Sequence, residues 1–102
     1  MLHPSFEKYL PQVQQLFQKH KIKNAYAFGS VVTDRFKEDS DVDLLINFME
    51  GLDPLEMGQS IWDLEDELNA LLKREVDILT ERSLKNRFFI KELNETRVPI
   101  YG

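Results

Sequence analysis

Cysteine is absent from the 102-residue sequence, which excludes disulfide bonds and thiolate metal sites. No apolar run approaches the roughly 20 residues that a membrane-spanning helix needs, and the opening MLHPSFEKYL lacks the apolar core of a secretory signal. The sequence also shows no internal repeat, low-complexity segment or linker. We therefore expect a single cytoplasmic domain covering residues 1–102, with no membrane partner.

Positive charge is scarce as well. The chain has 13 Lys and Arg against 18 Asp and Glu, a formal net charge of -5. A general nucleic-acid binder is usually basic, because neutralisation of phosphates drives its affinity. We therefore expect no nucleic-acid partner. A site that recruits divalent cations accounts for part of this acidity, although a solvated acidic surface is the commoner cause.

Hydrophobic periodicity predicts the order α-β-β-α-β-α-β, a small mixed β-sheet with packed helices of the α/β (α+β) class. Apolar residues at helical spacing predict a first helix with a kink or restart at Pro11. IKNAYAFGS predicts a strand that ends at Gly29. DVDLLINF predicts a second strand, apolar on both faces as in a sheet covered on both sides.

The second half begins with a helix over DPLEMGQSIWDLEDELNALLKR, with Asp53 as N-cap and Pro54 at its first position. Its predicted buried stripe is Leu55, Ile61, Leu64, Leu68 and Leu71. EVDILT predicts a third strand, and a last helix follows with Ser83 as its candidate N-cap. RVPIYG predicts only a short edge strand, since Pro99 cannot donate to a ladder. We interpret Trp62, Phe88 and Phe89 as core residues.

Two aspartates lead into the second strand, where burial of carboxylates is costly. Side chains two apart on a strand share a face, so Asp41 and Asp43 should project together. Asp77 lies between Val76 and Ile78 in the third strand. If that strand lies beside the second, the three carboxylates converge and repel one another. Mg²⁺, which prefers hard oxygen ligands, would relieve this repulsion.

A Gly-Ser pair lies one loop upstream of these aspartates. Gly29 ends a strand and permits a close approach of the backbone to a ligand. Ser30 offers a hydroxyl and begins SVVTDRF, a segment compatible with a short helical turn whose amides suit phosphate. The stretch therefore combines a candidate phosphate cradle with a candidate metal site.

The spaced pattern of GS, ten residues, then DVD, with VDIL at 76–79, resembles the minimal nucleotidyltransferase branch of the polymerase-β-like nucleotidyltransferase superfamily. The resemblance covers nearly the whole chain and implies a nucleotidyltransferase-like fold. It implies that Gly29 and Ser30 bind the nucleoside triphosphate. It also implies that Asp41 and Asp43 bind metal, and that Asp77 completes one metal site and accepts the proton of the attacking hydroxyl.

The resemblance also implies an activity and a partner. The expected reaction transfers AMP from ATP to a hydroxyl with two Mg²⁺ ions, releasing pyrophosphate. Members of this branch are often encoded beside a HEPN-domain protein, so the implied acceptor is a tyrosine of that protein and the implied role is that of an antitoxin. Self-association of the chain stays open.

One departure from the family pattern bears on activity. Many members have Arg three residues after the Ser, followed by Gly, whereas this chain has Thr33 and Asp34. Arg35 is the candidate for reaching the phosphates from a shifted position. The departure keeps open a second reading, in which the protein neutralises a HEPN partner by contact alone.

Two further alternatives are weaker. A stand-alone transferase acting on a small hydroxylated molecule needs a substrate-binding region for which 102 residues leave little room. DSDVDLLINFME also imitates a calcium-binding EF-hand loop, but Leu44 occupies the position that needs Gly. Because the chain is short, we expect another protein to supply the acceptor at exposed apolar surface. Candidates are Phe36, Leu52 and part of Phe88–Ile90.

Overall fold

The computed structural model describes all residues, 1–102. Two helices open the chain, α1 at Pro4–Glu7 and α2 at Leu10–Lys19. The predicted restart is confirmed, with Leu10 rather than Pro11 as the first helical residue and Pro11 in the first turn. Since proline has no N–H and a preset φ, it fits a position whose amide has no helical partner.

A four-stranded mixed sheet forms the centre of the fold. Its strands are β1 at Ile22–Phe28, β2 at Val42–Phe48, β3 at Val76–Thr80 and β4 at Val98–Tyr101. They are arranged in the order β3-β2-β1-β4, with β1 antiparallel to β2 and β4, and β2 parallel to β3. The predicted mixed sheet, element order and short edge strand at the C-terminus are confirmed.

The parallel pairing of β2 and β3 depends on a crossover helix, α3, at Pro54–Leu72. Asp53 caps its N-terminus as predicted, its side chain accepting from the Leu55 N–H at 2.9 Å. The helix ends at Leu72, and the next residue, Lys73, adopts the left-handed conformation with φ 54°. No helix of the structure has the length and apolar character to cross a membrane.

The buried stripe of α3 differs in part from the prediction. Leu64 and Leu68 are fully buried and Leu72 nearly so, whereas Leu55 is 84% exposed. At about 100° per residue, Leu55 lies about half a turn from Leu64, on the opposite side of the helix. Trp62 falls on that opposite side for the same reason and is 71% exposed, so its interpretation as a core residue is wrong.

Apolar residues cover both faces of the sheet. Leu44 and Ile46 face the main core, which also holds residues of α2 and α3. Leu45 points to the other face and is fully buried as well. The prediction that β2 is apolar on both faces is therefore confirmed.

The last helix, α4, spans Arg87–Thr96. Asn86, not Ser83, caps it, accepting from the Phe88 and Phe89 amides at 3.0 and 3.1 Å. Leu93 is buried, and Phe89 one turn earlier makes an edge contact with Phe28 at 6.2 Å between ring centroids. This contact brings the start of α4 to the sheet at the end of β1.

Besides Trp62, two aromatic residues have the opposite exposure to that predicted, and Phe89, also interpreted as a core residue, is 38% exposed. Phe88 is 80% exposed, because it lies on the far side of α4 from Leu93. Phe36 is only 6% exposed, packed against the His3 ring and beneath the Arg74 guanidinium at 4.3 Å. Phe36 is therefore excluded as docking surface, whereas Phe88 is available for it.

Candidate active site

Parallel pairing of β2 with β3 brings two of the predicted aspartates together. Asp43 and Asp77 are register partners on neighbouring strands, which are typically about 4.8 Å apart. Their neighbours Val42 and Val76 are buried in the main core, so alternation turns both aspartates to the other face. Asp41 lies just before β2 and is exposed.

Gly29 lies against Asp43 at the end of β1. Phe28 pairs with Asp43 across the antiparallel ladder, and Gly29 follows at once with φ 76°. A side chain at Gly29 would overlap Asp43 Oδ2 and displace that carboxylate, and the positive φ of the backbone favours glycine in its own right. The structure thus places the predicted cradle directly beside the carboxylates.

Ser30 is the second residue of a short turn that follows β1. Residues Gly29–Val32 form a 3-10 turn. The Thr33 hydroxyl donates to the Ser30 carbonyl at 2.7 Å and accepts from the Arg35 N–H at 3.1 Å. Thr33, the residue that departs from the family pattern, therefore holds the turn closed in this chain.

The pKa of Asp43 shows the electrostatic effect of this clustering. Burial, and after it the negative charges of Asp77 and Asp41, together raise the pKa of this half-buried carboxyl from 3.8 to about 6. The three aspartates are therefore close enough to influence one another, as the sequence predicted.

The donor set fits a hard divalent cation in its chemistry. Carboxylate oxygens of Asp41, Asp43 and Asp77 are the ligands that Mg²⁺ prefers, and a cation would relieve the repulsion seen at Asp43. The structure holds no preassembled group of three acidic or histidine side chains.

A cavity of about 430 Å³ opens over the two paired aspartates. Its lining includes Phe28 and Phe89 on one side and Glu65 of α3 on another. Sequence reasoning did not single out Glu65, which is one of several acidic residues in DLEDEL. Only the path of α3 past β3 distinguishes it from its acidic neighbours.

The EF-hand alternative is excluded by the fold. Leu44, at the position that needs a glycine turn, is a fully buried residue of β2. The two histidines are also placed away from the aspartates. His20 ends α2 and pairs with Glu67 at 2.7 Å, and His3 caps α1.

A mixed sheet with paired aspartates on adjacent strands, beside a Gly-Ser turn, defines the nucleotidyltransferase class of fold. The chain belongs to the polymerase beta nucleotidyltransferase family, whose profile matches residues 11–102, and it is a nucleotidyltransferase. The resemblance inferred from the sequence is therefore confirmed.

Three proteins that are similar to this chain carry more specific descriptions than the family does. MJ1217 of Methanocaldococcus jannaschii, provisionally named a protein adenylyltransferase, is 31% identical over 91% of this chain and 99% of its own length. A solved structure provisionally described as a minimal nucleotidyltransferase is 31% identical, with a TM-score of 0.74 over 97% of this chain and 96% of its own.

The third is an MNT antitoxin from Shewanella oneidensis, solved in complex with a tri-AMPylated HEPN toxin. The matched chain has 19% identity and a TM-score of 0.66, over 94% of this chain and 71% of its own length. At this identity the likeness shows the fold. It confirms the packed helices and mixed sheet of a minimal nucleotidyltransferase.

Proposed function

We propose that this protein is a Mg²⁺-dependent protein adenylyltransferase of the cytoplasm, which transfers AMP from ATP to a tyrosine of a HEPN-domain partner and so acts as an antitoxin. The observation that carries the proposal is the pairing of Asp43 with Asp77 beside Gly29. Carboxylates and a close backbone approach on adjacent strand ends suit a triphosphate with its metal ions.

Similar proteins support the choice of AMP and of a protein acceptor. MJ1217, which matches this chain along nearly its whole length, carries the name of a protein adenylyltransferase. The Shewanella neighbour is bound to an AMPylated HEPN toxin. Both point to the same donor group, and the second points to the class of partner.

The proposed step forms one P–O bond and breaks another. The acceptor hydroxyl oxygen attacks the α-phosphorus of ATP, the bond from that phosphorus to the bridging oxygen breaks, and pyrophosphate leaves. Asp77 accepts the hydroxyl proton; it is exposed at the cavity, within reach of an incoming acceptor. Bound Mg²⁺ would neutralise the charge that develops on the phosphate oxygens.

Other residues of the chain hold the nucleotide. Asp41 and Asp43 provide carboxylate oxygens for the metal ions, one from the loop before β2 and one from its second residue. Gly29 lets the backbone come close to the triphosphate, and the Ser30 hydroxyl donates to a phosphate oxygen. Thr33 keeps the turn that carries Ser30 closed.

We propose that the acceptor comes from another chain, which docks on exposed apolar surface of this domain. Phe88 and Trp62 are large apolar side chains left exposed, at 80% and 71%. We propose that a HEPN partner covers such surface while presenting its tyrosine within about 3–3.5 Å of the α-phosphate.

Neutralisation by contact alone is the second candidate. It is favoured by the use of Thr33 in holding the turn, since that position then offers no guanidinium to the phosphates. For the catalytic proposal, Arg35 is the arginine nearest in sequence that could supply this guanidinium to the phosphates. Its side chain makes no hydrogen bond or ion pair in the structure, so it is available for that role.

Incubation of the chain with isotope-labelled ATP, Mg²⁺ and the HEPN partner, followed by mass spectrometry, tests the proposal. We expect AMP on a partner tyrosine with wild type and with Asp39→Asn, an exposed aspartate of the same loop, and at least a 100-fold loss with Asp43→Asn. A HEPN partner that is neutralised but unmodified would favour the contact mechanism. Efficient modification of a small hydroxylated molecule by the chain alone would favour a stand-alone transferase.

A further inference from the structure

The exposed edge of β3 offers unpaired backbone groups next to the proposed site. β3 is an outer strand of the sheet, with β2 on one side and no strand on the other. Val42 N donates to the Glu75 carbonyl at 3.0 Å, so residues 75, 77 and 79 direct their backbone groups towards β2 in a parallel ladder. The amides of Ile78 and Thr80 therefore point outward.

Only part of this edge is free. The outward amide of Val76 is already paired, donating to the Asn69 side chain at 2.8 Å. The Thr80 carbonyl accepts from the Ser83 hydroxyl at 2.7 Å. No hydrogen bond outside the sheet ladder uses the amide of Ile78 or of Thr80. The open segment therefore runs from Ile78 to Thr80, immediately after Asp77.

The opposite edge of the sheet is protected. β4 contains Pro99, which has no N–H to offer, and Gln14 Nε2 donates to the Ile100 carbonyl at 2.9 Å. Proteins commonly cover or interrupt edges in this way, because an open edge pairs with other chains. The contrast singles out β3 as the edge that is left able to accept a strand.

We propose that an extended segment of the acceptor protein adds to β3 as a further strand; this rests on the proposed function. Residues opposite each other on adjacent strands have their Cβ atoms about 4.5–5.5 Å apart on one face. The segment residue opposite Asp77 therefore projects beside the Asp77 carboxylate. An added strand thus brings a tyrosine hydroxyl to the proton acceptor without a second domain.

The charge of the groove specifies the kind of segment. Ile78 and Leu79 line the cavity together with Asp43, Asp77 and Glu65. A strand laid along this edge meets carboxylates from two strands of the sheet and from α3. We therefore expect the acceptor segment to have a hydroxyl-bearing residue at its centre, with Lys or Arg beside it. The basic side chain would face the Glu65 carboxylate.

Amide hydrogen exchange of the chain bound to its HEPN partner tests the added strand directly. We expect exchange at Ile78 and Thr80 to slow at least tenfold in the complex. The Val76 amide is the internal control, since its hydrogen bond to Asn69 exists without the partner and its exchange should change little. Transfer of AMP in a complex whose Ile78 and Thr80 amides exchange as in the free chain would overturn the proposal.

A pair of variants at Thr80 gives an independent test. Thr80→Pro removes the outward amide and leaves the ladder to β2 intact, whereas Thr80→Val keeps the amide and changes only the side chain. We expect Thr80→Pro to lower kcat/KM for the partner at least tenfold, with Thr80→Val and the affinity for a non-hydrolysable ATP analogue within twofold of wild type. Equal transfer by wild type, Thr80→Pro and Thr80→Val would contradict the added strand but leave the proposed function standing. Absence of transfer in wild type overturns the proposed function and this inference with it.

Discussion

Asp43 is the residue on which the site's electrostatics depend. It is half-buried, it pairs with Asp77 across the parallel ladder, and Gly29 leaves room for one of its oxygens. Without a cation, burial and the negative charges of Asp77 and Asp41 all oppose ionisation of the Asp43 carboxyl. A carboxylate kept at this cost is typical of a binding site, where local stability is given up for function.

Replacement of Asp43 by asparagine should stabilise the metal-free chain in a pH-dependent way. The pKa of Asp43 is raised to about 6 in the fold from 3.8, so stability linked to this group is full below the lower value and is lost as the pH rises through the higher one. At pH 7.5 we expect Asp43→Asn to gain about 1 kcal/mol, a figure reduced for solvent screening.

Urea unfolding in the presence of a chelator measures this gain. Below pH 4 the difference between wild type and Asp43→Asn should shrink to a few tenths of a kcal/mol, about the size of a neutral surface change. Asp39→Asn, in the exposed loop, is the control and should be near wild type throughout. A gain from Asp43→Asn that is independent of pH would contradict the electrostatic explanation.

Gly29 has a matched control elsewhere in the chain. Gly29 and Gly51 both have positive φ, 76° and 88°, but a Cβ overlaps Asp43 Oδ2 only at Gly29 and meets nothing within 4 Å at Gly51. Both alanine variants therefore carry the backbone strain, about 1 kcal/mol. We expect only Gly29→Ala to weaken binding of a non-hydrolysable ATP analogue, by at least tenfold in calorimetric titration. Equal affinities of the two variants would remove Gly29 from the phosphate cradle.

Among the elements, α3 has the largest effect on the geometry of the site. It connects β2 to β3 and so makes them parallel, which places Asp77 beside Asp43. Its last turns also secure the start of β3, where Asn69 accepts from the Val76 amide. Its Glu65 lines the cavity over the aspartates. The helix therefore affects the site both through the parallel pairing of the two aspartates and through one residue of the cavity lining.

Removal of the α3 cap should destabilise the fold without altering the site chemistry. The Asp53 side chain accepts from the Leu55 amide at 2.9 Å. We expect Asp53→Ala to cost about 1 kcal/mol, which lowers Tm by roughly 4–8 °C in a domain of this size. Thermal unfolding measures it, with Asp66→Ala, an exposed position within α3, as the control. A fall of the same size in the control would indicate lost helix-surface charge rather than a lost cap.

For the molecule as a whole, the two faces of the sheet have different roles. One face, with α2 and α3, holds the main core around Leu44 and Ile46. The other carries Asp43 and Asp77 and is covered in part by α4, which reaches Phe28 through Phe89. Stability is therefore concentrated on the first face, and the second is the face to which we assign the proposed nucleotide and acceptor.

Metal and nucleotide together should stabilise the whole chain by mass action. A ligand at 100 times its Kd adds roughly 2.7 kcal/mol to the free energy of unfolding. We expect millimolar Mg²⁺ or Mn²⁺ with a non-hydrolysable ATP analogue to raise Tm by several degrees, and Asp43→Asn to abolish most of that rise. Differential scanning fluorimetry measures it, with Asp39→Asn as control. An unchanged melting curve for wild type would count against the metal site.

Signals between near neighbours in sequence account for what could be predicted without coordinates. Asp53 followed by Pro54 marks a helix start by capping and by the preset φ of proline, and both are confirmed. Gly29 at the end of an alternating strand marks a change of backbone direction. The spacing of Gly-Ser to Asp-Val-Asp indicated the family for the same reason, because its residues follow one another along two adjoining strands.

Burial and convergence depended instead on how the elements pack. Leu55 and Trp62 are apolar but lie opposite the stripe that meets the sheet. Phe36 is buried in the main core, where His3 and Arg74, far away in sequence, pack against it. The convergence of Asp77 on Asp43 required β3 to lie beside β2, which a crossover helix decides. Contacts between residues far apart in sequence leave no local pattern. Hydrophobicity and periodicity therefore predicted the helices and strands, but not which face of each one is buried in the fold.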